Sequence, residues 1–274
     1  MKNVAFGQYY PVDSVIHRMD PRAKIIMAIL YIVCTFICKN ALCFLALALV
    51  TVFVAALSRI PLRVVLASIK PLIFILIFTS LINVFMSKGE TLLTPVDWRI
   101  KIYAEGIWNA VFMSLRIIVL LASTGIFLTF TTTPIALTDA LEQLLAPLKR
   151  LRVPVHDVAM MTTIALRFIP TLMEETEKIM NAQKSRGADF QSGNLVRRAK
   201  ALLPIFIPLL SSAFKRADEL ANAMDCRCYH GGEGRTKLKV LRFRYSDVLG
   251  MILVLAFGVG IFFLNRAGIG YTMK

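Results

Sequence analysis

The sequence predicts an all-α integral membrane protein, with about five transmembrane helices and about three long cytoplasmic coupling helices. Three observations predict it. Of the 274 residues, 57% are hydrophobic and only 18% charged, against about 45–50% and about 25% in soluble domains. The apolar residues come in blocks, which points to a bilayer rather than to a large soluble core. A long segment, residues 131–247, carries more than half of the Lys and Arg yet keeps its apolar residues at helical spacing.

Residues 1–20 are mixed and polar. They show no apolar stretch and no small-residue cleavage site ahead of the first block, unlike a signal peptide. The first apolar run is 25–38, which Ala23 and its neighbours extend; the second, 41–57, is rich in Ala and Leu. Only Lys39 and Asn40 separate the two, so they read as a tight helical hairpin. A third run, 72–86, opens with Lys70-Pro71. A fourth, 107–130, is interrupted by Arg116, and 248–264 is the last. With its flanks, each supplies the roughly 17–25 residues that a spanning helix needs.

Orientation follows from Lys and Arg in the short flanks. Arg18, Arg22 and Lys24 precede the first span; Arg59, Arg63 and Lys70 lie between the second and third; Arg235, Lys237, Lys239, Arg242 and Arg244 precede the last. These flanks are mutually consistent as cytoplasmic, which puts the N-terminus inside and the C-terminus outside a bacterial cell membrane. The net charge of +15 then reports the cytoplasmic side and anionic lipid headgroups. No aromatic-basic motif favours nucleic acid as a partner. The expected organisation is a membrane bundle of about four spans over 1–133, a cytoplasmic coupling-helix region over 134–247, and a last span with a short external tail over 248–274. The three form one integrated membrane domain.

Within 134–247, Thr138 and Asp139 can cap a helix that carries Leu141, Leu144, Leu145 and Leu148. Pro154 suits the first turn of a second helix, which carries Val158, Met161, Ala165, Phe168 and Leu172 and ends near Gly187. Asn194 can start a third. Residues 202–210 are strongly apolar but too short to span, and Pro204 and Pro208 would kink them. They suit a helix at the membrane interface or against the spans.

Two stretches of this region look alike. Asn181-Ala182-Gln183-Lys184-Ser185-Arg186 and Asn222-Ala223-Met224-Asp225-Cys226-Arg227 share Asn-Ala-x-x-x-Arg, and Ile179 matches Leu220 as Glu177 matches Asp218. Glycine follows each, Gly187 at once and Gly231-Gly232 slightly later, as is usual past a helix C-terminus. Each arginine therefore sits at a helix end, where the dipole favours a cation. A guanidinium there can cap and solvate the end, or grip a carboxylate in bidentate fashion. Two similar anchors suit a dimeric partner, whose symmetry repeats one acidic pocket.

With these residues in place, the chain resembles the transmembrane scaffold protein of energy-coupling factor (ECF) transporters, the T component. That family is similar in having a few spans, a long cytoplasmic helical insert before the last span, and two Ala-Arg-Gly motifs at the ends of coupling helices. The matching positions are Ser185-Arg186-Gly187 and Cys226-Arg227-Cys228, and Gly231-Gly232-Glu233-Gly234-Arg235-Thr236 also resembles the segment after the second motif. The likeness covers essentially the whole chain. Serine replaces the first motif's alanine, and cysteine replaces both alanine and glycine in the second. Cysteine is a poor left-handed residue, so the second helix is expected to end differently, at the glycines beyond Cys228.

The resemblance implies that Arg186 and Arg227 dock into two ABC-type ATPases, and that the long helices carry their motion to a small membrane-embedded substrate-binding protein, the S component. ATP would be bound by those ATPases, and this chain would hold no cofactor. Consistently, it has no Gly-rich Lys-Ser/Thr phosphate loop. The resemblance also favours a scaffold shared among vitamin-capture proteins over a dedicated metal-ion system.

Other residues invite weighing. Cys226-x-Cys228-x-His230 has soft metal ligands but no fourth one nearby, so no metal site is expected. Cys34 and Cys38 lie four apart and suit small apolar packing. Arg116 is an intramembrane charge and thus a possible polar site, with Asn83, Asn109 or a backbone carbonyl as partner, or else a snorkelling residue. Asp20-Pro21-Arg22 resembles a segment of the same family and reads equally well as a helix start. His17, His156 and His230 form no catalytic pattern. A self-contained ABC-type permease would need a polar cavity among the spans, but the polar residues concentrate in the insert. An intramembrane enzyme would need acids or histidines in the spans, where none falls within the runs above.

Overall fold

A computed structural model describes residues 9–86, 103–188, 190, 194–232 and 241–266. Among these, the regular elements are helical: α1 (Pro21–Ile37), α2 (Ala41–Leu57), α3 (Leu62–Ile69), α4 (Ile73–Met86), α5 (Ala104–Thr124), α6 (Pro134–Leu144), α7 (Val155–Ser185), α8 (Leu195–Asp225) and α9 (Tyr245–Arg266). The chain divides into two compact units, Met1–Ala140 with Leu241–Lys274, and Leu141–Val240.

The first unit is the membrane bundle. Three of its helical stretches are long and apolar enough to cross a bilayer: Leu62–Met86, Ala104–Thr129 and Tyr245–Arg266. Helices α1 and α2 have 17 residues each, about 25 Å at 1.5 Å per residue, near the lower limit for a span. The third span begins ten residues earlier than its apolar run suggested. A 3₁₀ turn over Lys70–Leu72 joins α3 to α4, so Arg63 and Lys70 lie on helix and not in a flanking loop. Pro71 fits there because a 3₁₀ turn's first residues need no donor. The fourth span ends in a π-helical turn, Gly125–Thr129, in which Phe130 N donates to Gly125 O at 2.8 Å. A Cβ on Gly125 would stand 2.9 Å from the buried Phe130 ring, so glycine is what admits the ring.

The core lies where α1, α2, α5 and α9 meet, around Met27, Tyr31, Leu47, Phe112, Phe127 and Ile261. The Tyr31 hydroxyl donates to Leu47 O (2.6 Å) and pairs with Thr51 Oγ1 (2.7 Å), joining α1 to α2. Cys34, Cys38 and Cys43 are buried in this core as free thiols. Outward faces carry uncovered apolar side chains, among them Phe53, Phe74, Phe85 and Phe263. With lipid as the solvent, such faces need no protein cover.

Arg116 has a backbone partner. Its Nη2 donates to Cys38 O at 2.9 Å, with the guanidinium 5.4 Å over the Phe44 ring. Cys38 is the C-cap of α1, so the cation meets the negative end of that helix at the turn into α2.

A second cluster of charge sits at the starts of α1 and α9. Asp20 caps α1: its Oδ1 accepts from Arg22 N (2.9 Å), and both its oxygens take the Arg22 guanidinium (3.1 and 2.9 Å). Pro21 follows at the first helical position. Asp247, fully buried, lies in the first turn of α9; the last span thus starts at Tyr245 and includes an acid outside the apolar run 248–264. Lys24 is also fully buried, between these acids and the chain at Thr131–Thr132.

In the second unit, α7 and α8 are 31 residues each and pack on one another. Both run through internal prolines, Pro170 in α7 and Pro204 and Pro208 in α8. The apolar stretch 202–210 is therefore part of one long helix. Leu203, Phe206, Ile207, Leu210 and Phe214 leave an uncovered stripe along it. Thr138 and Asp139 are not caps. Helix α6 starts at Pro134, and Thr133 Oγ1 accepts from Ala136 N instead (3.4 Å). Leu145 and Leu148 fall beyond its end, because Pro147 breaks the pattern into a 3₁₀ turn, Ala146–Leu151. Pro154 is the N-cap of α7, one residue ahead of the first turn expected for it, and Asn194 precedes α8.

Candidate functional site

The two arginine motifs end α7 and α8 with the same backbone pattern. At the first, Ala188 N donates to Gln183 O (3.0 Å) and Gly187 N to Lys184 O (2.9 Å). At the second, Tyr229 N donates to Met224 O (3.1 Å) and Cys228 N to Asp225 O (2.9 Å). Each pair of bonds is a Schellman cap, with the residue past the cap left-handed. That residue is Gly187 (φ 86°) in one and Cys228 (φ 55°) in the other.

The expected difference at Cys228 therefore does not occur. The helix closes there, not at the later glycines, and the cysteine takes the strained conformation. A non-glycine residue pays about 1–2 kcal/mol for it, which the two cap bonds offset. Gly231 and Gly232 have separate reasons. Gly231 is itself left-handed (φ 93°), and a Cβ on Gly232 would stand 2.3 Å from the His156 ring. That ring is held by Glu142 Oε1 at 2.9 Å from Nδ1. Residues 233–236, the rest of the resembling segment, lie outside the described residues.

Arg186 and Arg227 occupy the same position in the two caps, and both are exposed. Among the described residues neither guanidinium has an ion-pair partner within the chain. Ser185 and Cys226, one residue before, are equally exposed, and the Ser185 hydroxyl donates back to Asn181 O (3.1 Å). Serine in place of alanine thus leaves the helix intact.

The helices pack antiparallel. Arg216 of α8 pairs with Glu175 of α7 at 3.1 Å, and the Tyr229 hydroxyl reaches Met160 Sδ at 2.9 Å. Arg227 therefore lies level with the start of α7, and Arg186 lies 26 residues beyond Met160, roughly 39 Å of helix rise away. The two cations mark opposite ends of one hairpin. A cleft of 690 Å³ opens beside the second, lined by Arg167, Leu220, Met224, Arg227, Tyr229 and His230.

Sequence reasoning missed Arg167 and Tyr229 in this cleft, since nothing local relates the first four turns of α7 to the end of α8. It also missed the left-handed Cys228. The signal that could have found it is the strict Asn-Ala-x-x-x-Arg repeat, which predicts equal caps if taken literally. Cys226, Cys228 and His230 are not brought together as ligands; among the described residues no group of three or more His, Cys, Asp or Glu could hold a metal ion.

The chain is similar to known proteins over nearly all its length. Residues 13–238 match the family model CbiQ, described as "Cobalt transport protein". Proteins named "Energy-coupling factor transporter transmembrane protein EcfT" match closely. One from Ruminiclostridium cellulolyticum is 51% identical over 250 residues, 91% of this chain and 92% of that protein. One from Thermosediminibacter oceani is 47% identical, over 95% and 97%, and one from Bacillus subtilis is 44% identical, over 97% and 99%.

Proposed function

Because the chain belongs to the CbiQ family, whose matched relatives are named as transmembrane proteins of energy-coupling factor transporters, we propose that it is the coupling subunit of such an importer. In this role it links ATP hydrolysis by two partner ATPases to uptake of a vitamin or similar micronutrient. The substrate passes through a separate membrane-embedded capture protein. The chain is a multi-pass membrane protein. It is itself non-catalytic and needs no cofactor of its own, since ATP belongs to the partners.

The observation that carries the proposal is the pair of equal, exposed arginine caps at opposite ends of the α7–α8 hairpin. A helix C-terminus presents a cation well, because the dipole's negative end offsets the cost of holding it there. A bidentate guanidinium meets a carboxylate with both geometry and charge. Two such anchors, far apart on one rigid element, let a nucleotide-driven change in the spacing of two ATPases turn or bend that element. The apolar stripe of α8, from Leu203 to Phe214, then offers a surface against which a membrane-embedded capture protein can lie.

The test is affinity purification from native membranes in mild detergent, beside the double variant Arg186→Glu, Arg227→Glu. ABC-type ATPases and small membrane proteins are expected with the parent, and the ATPases are expected to vanish with the variant. Each charge reversal at a bidentate contact should weaken binding by a few kcal/mol, about a hundredfold or more. ATPases retained by the variant overturn the assignment of the arginines. Absence of ATPases from both overturns the coupling role.

A further inference from the structure

We infer that Lys24, with Asp20, Arg22 and Asp247, is the anchor through which movement of the arginine-capped segment enters the membrane bundle. The inference rests on the coupling role proposed above, and concerns residues that role does not use. Its basis is where the bonds of these four side chains go.

The fourth span ends at the π turn, and the next stretch leads into α6, through which the chain passes to the second unit after Ala140. In that stretch Lys24 Nζ donates to Thr131 O (2.8 Å) and Thr132 Oγ1 (3.3 Å), and more weakly to His17 O (3.4 Å) on the chain ahead of α1. The chain rejoins the bundle at Leu241. There Arg22 Nη2 donates to Leu241 O (3.0 Å), and the Arg22 guanidinium lies 4.1 Å from the Phe243 ring centroid. Asp247 Oδ2 accepts from Arg244 N (2.7 Å), closing the first turn of α9, while its Oδ1 accepts from Asp20 N (3.1 Å). Both attachment points are thus fastened to one turn of α1, residues 20–24.

Asp20, Lys24 and Asp247 are 6%, 1% and 0% exposed, so water does not compete for these bonds. The two carboxylates and two cations balance in charge, and each acid lies at a helix N-terminus, where negative charge is favoured. Apolar side chains would hold these helix ends together at least as strongly. What charge adds is direction: specific bonds to two separate backbone stretches, which fix their register on α1. A displacement of either attachment point must then move α1 or break the cluster.

Hydrogen exchange read by mass spectrometry tests this on the full chain in detergent. Lys24→Met keeps the stem and removes the ammonium. Exchange at residues 131–133 and at 244–248 is expected to rise together, by roughly tenfold or more, with 206–222 unchanged. Asp247→Asn keeps an acceptor for Asp20 N, should give a smaller paired response, and carries the test if Lys24→Met fails to fold. In complexes with co-purified ATPases, ATP should alter exchange at both attachment points and in α1 of the parent. In Lys24→Met the response should stop short of α1, while the ATPases stay bound and hydrolyse ATP. Exchange that rises at one attachment point only, or evenly over the chain, overturns the anchor; so does an ATP response that reaches α1 undiminished in the variant. Loss of ATPases from the parent counts against the coupling role alone, since the paired response of the isolated chain still decides the anchor.

Discussion

Gly187 and Cys228 do the same work at unequal cost. Both take positive φ at the residue past an arginine cap, but only glycine does so freely. Space is not the issue at Gly187, because a Cβ there would meet nothing within 4 Å. Gly187→Ala is therefore expected to destabilise the end of α7 by about 1 kcal/mol, and Cys228→Gly to stabilise the end of α8 by a similar amount. Local amide exchange at 183–188 and 224–229 checks both; equal exchange in variant and parent would contradict the cap geometry. The charge that the sequence marks inside the fourth span has a plainer role. Arg116 meets the carbonyl end of α1 at Cys38 O, so its place in the membrane follows from a helix dipole.

At the scale of elements, polar contacts join α7 to α8, among them Glu175–Arg216 and Tyr229–Met160 on the chain that follows α8. Glu175 lies between the Ser212 hydroxyl and the Arg216 guanidinium, which together hold its carboxyl below the ordinary 4.5. A lowered folded-state value means that the ionised form stabilises the hairpin. That contribution is complete above the ordinary value and is lost as pH falls below 4.5 through the lower folded one. Protection of the α7 and α8 amides, measured against the intrinsic exchange rate at each pH, is thus expected to fall on acidification in the parent, and Glu175→Gln should remove that part of the pH dependence. Identical pH profiles would show that the contact does not pin the pair. Sequence periodicity made both helices legible, including their ends near Gly187 and after Asn194. It misplaced the start of α6, because Thr133 before Pro134 is as good a cap as Thr138, and only the backbone path decides between them.

At the scale of the whole molecule, the flanking Lys and Arg predict an orientation with the N-terminus and the arginine-capped segment in the cytosol. The five cysteines supply a direct check, since Cys34, Cys38 and Cys43 are buried and Cys226 and Cys228 are exposed. A membrane-impermeant maleimide should leave intact cells unlabelled and should modify Cys226 and Cys228 once the membrane is permeabilised. Labelling of those two cysteines in intact cells would invert the topology.

The sequence by itself determined what depends on local composition and period: an all-helical membrane protein, the apolar blocks, the basic insert and the two arginine motifs. Bilayer thickness and helix geometry translate such patterns almost directly into elements. Tertiary structure alone decided the partners of residues far apart in the chain. It set Lys24 against Thr131, Asp20 against Asp247, Arg116 against Cys38, and the two arginine caps at opposite ends of one hairpin. These pairings span from 78 to 227 residues of sequence in the membrane bundle. A polar group buried without water must find a partner wherever the fold supplies one, and no local pattern records which.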